Sequence, residues 1–200
     1  DVFSREEFAH AFDVANVNPN PARFDLKKAE ALNSEHVRKL DAADFAERIV
    51  PYLAAAGLVS TPPTPAEAAT IASAAPLIQE RTNLLGEAPG MLGFLFRSSE
   101  GFSFDDDALA SLGANAPEVL TAAREALARI PGERWIASEI EEALRGALID
   151  GLGLKPRDAF GPVRVATSGR RVSPPLFESL ELLGPLDSLA RIDALSTRLG

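Results

Sequence analysis

Residues 162–184 read PVRVATSGRRVSPPLFESLELLG. Residues 163–168 form the end of one helix, Gly169 is placed to take the left-handed stop, and Ser173 with Pro174 starts the next helix. The first turn of that new helix carries unpaired backbone amides, and Arg170 and Arg171 stand exposed beside it. A helix N-terminus flanked by arginines is a ready anion site. Leu176 and Phe177 offer apolar surface next to it, on which an unstacked base of single-stranded RNA can lie. The plainer reading gives Phe177 to the core and leaves the arginines solvated, and these residues alone leave both open.

Working outward, the apolar period is helical almost everywhere, and no segment alternates convincingly enough to be a strand. Ser4 and Glu7 make a capping box with Phe3 and Phe8 as a hydrophobic staple, so a helix starts near Arg5 and is expected to bury Phe8 and Phe12. Residues 16–21, with two prolines and three asparagines, end it. Asp25 caps a second helix carrying Leu26, Ala29, Leu32, Val37 and Leu40. A third runs from Ala42 through Phe45, Ile49 and Leu53, with Pro51 expected to kink it and Gly57 to stop it. Residues 61–65 form a stiff linker. Thr64, Pro65 and Glu67 open a fourth helix with Ile71, Ala75 and Ile78 on its buried stripe and Arg81 at its end. Gly86, Pro89 and Gly90 break the chain before residues 91–96, and residues 98–107 read as a junction between subdomains. Further stripes follow: Leu120, Ala123, Leu127 and Ile130, then Ile140, Leu144 and Leu148 after Trp135, then Leu189, Ile192, Leu195 and Leu199. The fold class is all-α.

Two hundred residues suffice for one large domain or two small ones. With no cysteine there is no disulfide framework, thiolate metal site or thiol nucleophile. The longest apolar runs, such as residues 52–59, fall far short of the roughly 20 residues that span a bilayer. The first residue is Asp, with no signal-peptide pattern behind it, so the chain is expected to be a cut-out piece of a longer one. Net charge is −9, yet it is unevenly spread. Residues 98–150 hold eleven acids against four bases, whereas residues 155–172 hold five bases (Lys155, Arg157, Arg164, Arg170, Arg171) against Asp158 alone. Such a confined basic patch can place a nucleic acid at one location on an acidic body, and its plain alternative is a solvated face. Sixteen of the twenty bases are arginine, whose planar fork suits phosphate and base edges.

Catalytic and metal-binding templates find no home in this pattern. His10 and His36 lie on different helices without metal-ligand spacing. Asp105, Asp106 and Asp107 are consecutive, unlike the alternate ligands of a calcium loop, and read as favourable charge at a helix start. Gly151 and Gly153 follow no strand and lack the third glycine of a dinucleotide fingerprint. No serine occupies a nucleophile elbow, and Glu141 and Glu142 point to different sides of one helix.

The stretch 162–184 resembles the end of the bacterial glutamyl-tRNA synthetases, with their series of arginine, Thr/Ser-Gly, Ser/Thr-Pro, Leu-Phe and Leu-Leu-Gly. FSREEFAHAF (3–12), FDLKKAEALNSEHVR (24–38), IQERTNLL (78–85) and ERWIASEIEEALRGAL (133–148) fall in the family's order and spacing. The resemblance covers nearly the whole chain. It implies the C-terminal part of a class I aminoacyl-tRNA synthetase that joins glutamate to its tRNA using ATP with Mg2+. The HIGH-like and KMSKS-like signatures of the catalytic half do not occur here, and Lys27 and Lys28, inside a helical pattern, are no substitute. The fragment itself is thus expected to be inactive and to carry no cofactor or metal.

In that likeness, residues 1–43 are the end of a stem-contact helical domain, 44–103 the first anticodon-binding subdomain and 104–200 the second, together a helical cage. Arg81 occupies the column of the arginine that contacts the last anticodon base and helps exclude the glutamine tRNA. Arg164, Ser173, Pro174, Leu176 and Phe177 fall on positions around the first two bases. Lys155, Arg157, Arg170 and Arg171 are implied phosphate contacts. Pro175 departs from the pattern, standing where glycine is common. The implied partners are the glutamate tRNA, with the glutamine tRNA added in a relaxed form, and a preceding catalytic domain of the same chain; the implied enzyme is a cytoplasmic monomer. A helical protein-interaction module and a regulatory paralogue without an aminoacylation role are the alternatives.

Overall fold

The computed structural model describes residues 3–17, 24–98 and 102–200. All regular elements among them are helical. Eleven α-helices follow in order: α1 (Arg5–Ala11), α2 (Leu26–Lys39), α3 (Ala42–Ala55), α4 (Pro65–Gln79), α5 (Ala88–Leu92), α6 (Asp106–Ala110), α7 (Ala116–Leu127), α8 (Ala137–Leu144), α9 (Pro156–Ser168), α10 (Leu176–Leu183) and α11 (Pro185–Leu199). Helix α8 runs on as a π-helical turn, Arg145–Gly151.

Helix starts follow the local chemistry. Ser4 with Glu7 and Thr64 with Glu67 form complete capping boxes, and the Asp25 and Asp41 carboxylates accept from Lys28 and Asp44 amides. Gly57 ends α3 with φ +67°, and the Leu58 amide closes the turn by donating to the Leu53 carbonyl at 3.0 Å. Pro51 stands inside α3, which continues to Ala55. Pro89 and Gly90, expected to break the chain, lie inside α5 instead, because proline is tolerated in a first helical turn whose amides are unpaired anyway.

Two hydrophobic clusters hold the bundle. In the first, Phe45, Ile49 and Leu53 of α3 meet Ile71, Ala75 and Ile78 of α4, with Val37 and Leu92 closing the ends. Gln79 is buried at its edge and donates to the Val37 and Leu40 carbonyls at 3.0 and 2.8 Å, tying the end of α4 to the end of α2. The second cluster gathers Leu120 and Leu127 of α7, Ile140 and Leu144 of α8, Val163 of α9, Leu180 of α10 and Leu195 of α11. Trp135 is buried within it, and its Nε1 donates to the Leu180 carbonyl at 2.9 Å.

The start of the chain differs from its expectation. Phe8 and Phe12 are 49% and 54% exposed, and Leu26 is 68% exposed. Phe3, Phe8 and Phe12 stack on one another, with centroids 5.8 and 5.5 Å apart, rather than on a core. A two-turn helix can satisfy its staple locally without burying its apolar stripe, since burial needs a second packed layer. The proline- and asparagine-rich 18–21 stretch lies outside the described residues.

Candidate nucleic-acid interface

The seam between the two clusters is built by the end of α4, the end of α9 and the loop between α9 and α10. Arg81 lies two residues beyond α4, in a turn fixed by its own amide and by the buried Thr82 hydroxyl, both donating to the Ile78 carbonyl at 2.9 Å. Its Nη1 donates across 92 positions of sequence to the Ser173 carbonyl at 3.3 Å. Arg164, on α9, reaches the same residue. Its Nη1 donates to Ser173 Oγ and to the Pro174 carbonyl, each at 2.8 Å, and lies 3.5 Å from the Ser173 carbonyl. Two cations far apart in sequence therefore converge on one residue, and neither makes an ion pair among the described residues. Burial, and after it the charge of Arg81, pushes the Arg164 guanidinium below its ordinary range. An anion arriving here relieves that repulsion.

Gly169 shapes the loop. It ends α9 with φ +73°, its amide donates to the Val165 carbonyl and its carbonyl accepts from the Asp105 amide, both at 2.8 Å. A Cβ at Gly169 would sit 2.3 Å from the Ser103 carbonyl oxygen, so the junction segment packs directly on the stop.

Three expectations for this loop, the start of α10, the exposure of Leu176 and the freedom of Arg170, are corrected. Helix α10 begins at Leu176, with Pro175 as N-cap, rather than at Ser173 and Pro174. Two successive prolines explain the delay, because each disfavours α-conformation in the residue before it. Leu176 is 4% exposed and belongs to the second cluster, so it offers no surface to a base. Phe177 is half-buried, edge-on to Phe160 with centroids 5.4 Å apart. Arg170 is not a free cation either: its Nη1 donates to the Gly90 carbonyl at 2.5 Å and its Nε lies 3.4 Å from Asp105. Arg171 is exposed, whereas Ser173 and Pro174 are buried under the arginines.

Beside the seam, a cleft of about 590 Å³ opens between the turn at 111–115 and the outer face of α9. Arg157, Arg164 and Arg171 line it with Asn115, Phe160 and one acid, Asp158. Arg157 and Arg171 have no ion-pair partner among the described residues, and Lys155 is exposed just before α9. The cleft is thus cationic within a chain of net charge −9. A wider cleft of about 1000 Å³ is lined by Glu139, Glu141, Glu142 and Asp150 with Arg129, Arg134 and Arg145, which are already paired with Glu125, Glu139 and Glu141. It offers a polyanion no unpaired arginine.

Sequence reasoning missed the 111–115 wall of the cationic cleft and Arg145, whose guanidinium lies 5.7 Å over the Phe160 ring. Arg145 opens the π-helical turn after α8, and a 3.6-residue period carries no sign of such a turn.

The family model for the anticodon binding domain matches residues 44–195. The chain belongs to this anticodon-binding-domain family. Among curated proteins it is 58% identical over its full length to a glutamate–tRNA ligase of Leifsonia xyli subsp. xyli, covering 41% of that protein. It is 56% identical over 199 residues to a glutamate–tRNA ligase of Kocuria rhizophila, covering 39%. The chain therefore spans about two fifths of the length of these relatives. A solved glutamate tRNA ligase from Elizabethkingia meningosepticum superposes with a TM-score of 0.79 at 20% identity, over 99% of this chain and 37% of that one. That likeness shows the helical fold. No helix among the described residues is long and apolar enough to cross a membrane, and no group of three or more His, Asp or Glu is placed to hold a metal ion.

Proposed function

We propose that this anticodon-binding-domain chain is the anticodon-reading part of a glutamate–tRNA ligase. Arg81 faces the last anticodon base, while Arg164, Ser173, Pro174 and Phe177 shape the place of the first two. Leu176 supports that place from the core. Arg157, Arg171 and Lys155 attract the loop's phosphates, and Arg170 braces the loop from behind. The division at residues 43 and 103 into a stem-contact segment and two anticodon-binding subdomains belongs to the same reading. So do a cytoplasmic, monomeric intact enzyme and the glutamate tRNA as partner.

The observation that carries the reading is the convergence of Arg81 and Arg164 on Ser173, within a chain whose residues 44–195 match the family. An arginine fork donates two parallel hydrogen bonds to a base edge bearing two acceptors, and a wrong base leaves groups unpaired. In this reading ATP, Mg2+ and glutamate activation belong to the remainder of a ligase of which this chain spans about two fifths.

The test is binding of a labelled anticodon stem-loop of the glutamate tRNA to this chain across a salt series. The expected result is tight, salt-dependent binding that weakens when the third anticodon base is changed. Equal binding of any stem-loop, or binding of none, overturns the reading in favour of a protein-interaction module.

A further inference from the structure

Among the described residues, Arg191 is the largest fully buried side chain, at 1% exposure. Its Nη1 donates to the Thr167 carbonyl at 2.8 Å, and its Nη2 donates to the Phe94 and Arg97 carbonyls at 2.8 and 3.1 Å. The guanidinium lies 4.0 Å over the Phe102 ring, and its Nε has no hydrogen-bond partner. Burial pushes its pKa down to about 10, against a smaller opposing pull from Asp187.

Burying a guanidinium is costly, and an apolar residue of similar volume commonly serves stability as well or better. What an apolar residue cannot do is hold three carbonyls from two separate segments at fixed distances. Phe94 and Arg97 end the part of the chain that forms the first cluster, and Phe102 lies on the junction. Thr167 stands two residues before the Gly169 stop, on the helix that carries Arg164. Arg191 itself lies on α11, against α7 and α9. Its guanidinium therefore joins the last turn of the first unit, the junction and the root of the 170–175 loop.

We propose that Arg191 is a positioning residue: by clamping the Phe94, Arg97 and Thr167 carbonyls it fixes the register between the two clusters in which Arg81 and Arg164 both reach Ser173. The clamp stands on geometry alone, whereas its consequence for RNA rests on the proposed anticodon reading.

The chain has no native cysteine, so paired spin labels can be placed at Ala69→Cys on α4 and Thr121→Cys on α7, both exposed. Label-to-label distances are read without RNA in the labelled parent and in Arg191→Met, and stem-loop affinity is read in the unlabelled pair. The expected result for Arg191→Met is an unchanged helical circular dichroism spectrum, a broadened or shifted distance distribution and stem-loop binding weakened at least fivefold. An unchanged distribution with only a lowered Tm overturns the clamp and leaves Arg191 a packing residue. A changed distribution in a chain that binds no stem-loop supports the clamp and defeats the RNA reading instead. Should Arg191→Met fail to fold, Arg191→Lys keeps a cation at the site but offers one ammonium in place of the planar fork that spans the three carbonyls. The same broadening is expected there, and an unchanged distribution overturns the proposal.

Discussion

Arg81 and Arg164, 83 positions apart in sequence, meet on a single residue: both Nη1 atoms reach the Ser173 carbonyl, at 3.3 and 3.5 Å. Burial first, and the nearby charge of Arg81 after it, push the Arg164 guanidinium below its ordinary range. Groups that share a partner in this way are energetically coupled. The single variants Arg81→Ala and Arg164→Ala and the double variant are therefore expected to lose stem-loop binding non-additively, with a coupling of about 0.5–3 kcal/mol. Titration of the four proteins against one stem-loop measures it. Strict additivity means the two arginines contact RNA independently of Ser173.

The basic patch divides into cations without an ion pair and cations already engaged. Arg157 and Arg171 line the cationic cleft without ion pairs, so replacing either with Ala should lower affinity and reduce the salt slope by about 1 for each phosphate no longer neutralised. Arg170→Ala should instead lower Tm with little change in slope, because Arg170 is engaged with Gly90 and Asp105. As a control, Arg124→Ala removes an exposed pair with Asp193, at 2.6 Å, on another face and should leave the slope unchanged. Binding isotherms at several salt concentrations separate these outcomes.

Most of the helices were legible in the sequence because caps and period act locally. The Thr64–Glu67 box, the Gly57 and Gly169 stops and the stripes through Ile78, Leu144 and Ile192 need no distant partner to be read. What was not legible depends on the second layer. Whether Phe8 is buried, whether Leu176 faces solvent and which carbonyl Arg170 grips are decided by segments far away in sequence. Arg191 is the extreme case. On a helical wheel it neighbours Ile192 and Leu195, and nothing local distinguishes a buried arginine from one at the edge of the stripe.

Gly169 is held by two independent constraints, a left-handed φ of +73° and a Ser103 carbonyl that a Cβ would approach to 2.3 Å. The conformational part alone costs about 1–2 kcal/mol for a side chain, and the clash forces the junction to shift in addition. Gly169→Ala should therefore lower unfolding free energy by more than about 2 kcal/mol, read by urea denaturation. Gly132→Ala, where φ is not positive and a Cβ meets nothing within 4 Å, should be nearly silent.

The Glu67 carboxylate accepts from the Thr64 and Ser60 amides and the Ser60 hydroxyl, and the Thr64 amide first, with the Thr64 side chain and Ser60 after it, holds the carboxyl below the usual 4.5. A carboxyl depressed in the folded state adds stability that is fully present above its unfolded value and is lost as pH falls through the folded one. Glu67→Gln should therefore destabilise the chain at pH 7 and flatten the decline of Tm below about pH 4.5. Thermal melts of parent and variant from pH 7 to pH 3 check it. Parallel curves would show that Glu67 adds no pH-dependent stability.

Arg81→Gln tests the discrimination assigned to this turn. Glutamine keeps a polar side chain compatible with the turn beyond α4, and the backbone bonds of Arg81 and Thr82 to Ile78 do not depend on the guanidinium, so the fold should survive. Two functions of the fork disappear together: the bond to the Ser173 carbonyl and the pair of parallel donors offered to a base edge. One good base contact is worth about 1–3 kcal/mol of discrimination. In the intact ligase, charging of the glutamine tRNA relative to the glutamate tRNA is therefore expected to rise roughly tenfold, equivalent to about 1.4 kcal/mol. The ratio of kcat/KM values for the two tRNAs measures it. If that ratio stays within about twofold while circular dichroism shows intact helices, Arg81 serves only to hold Ser173, and the reading of the third base lies elsewhere in the seam.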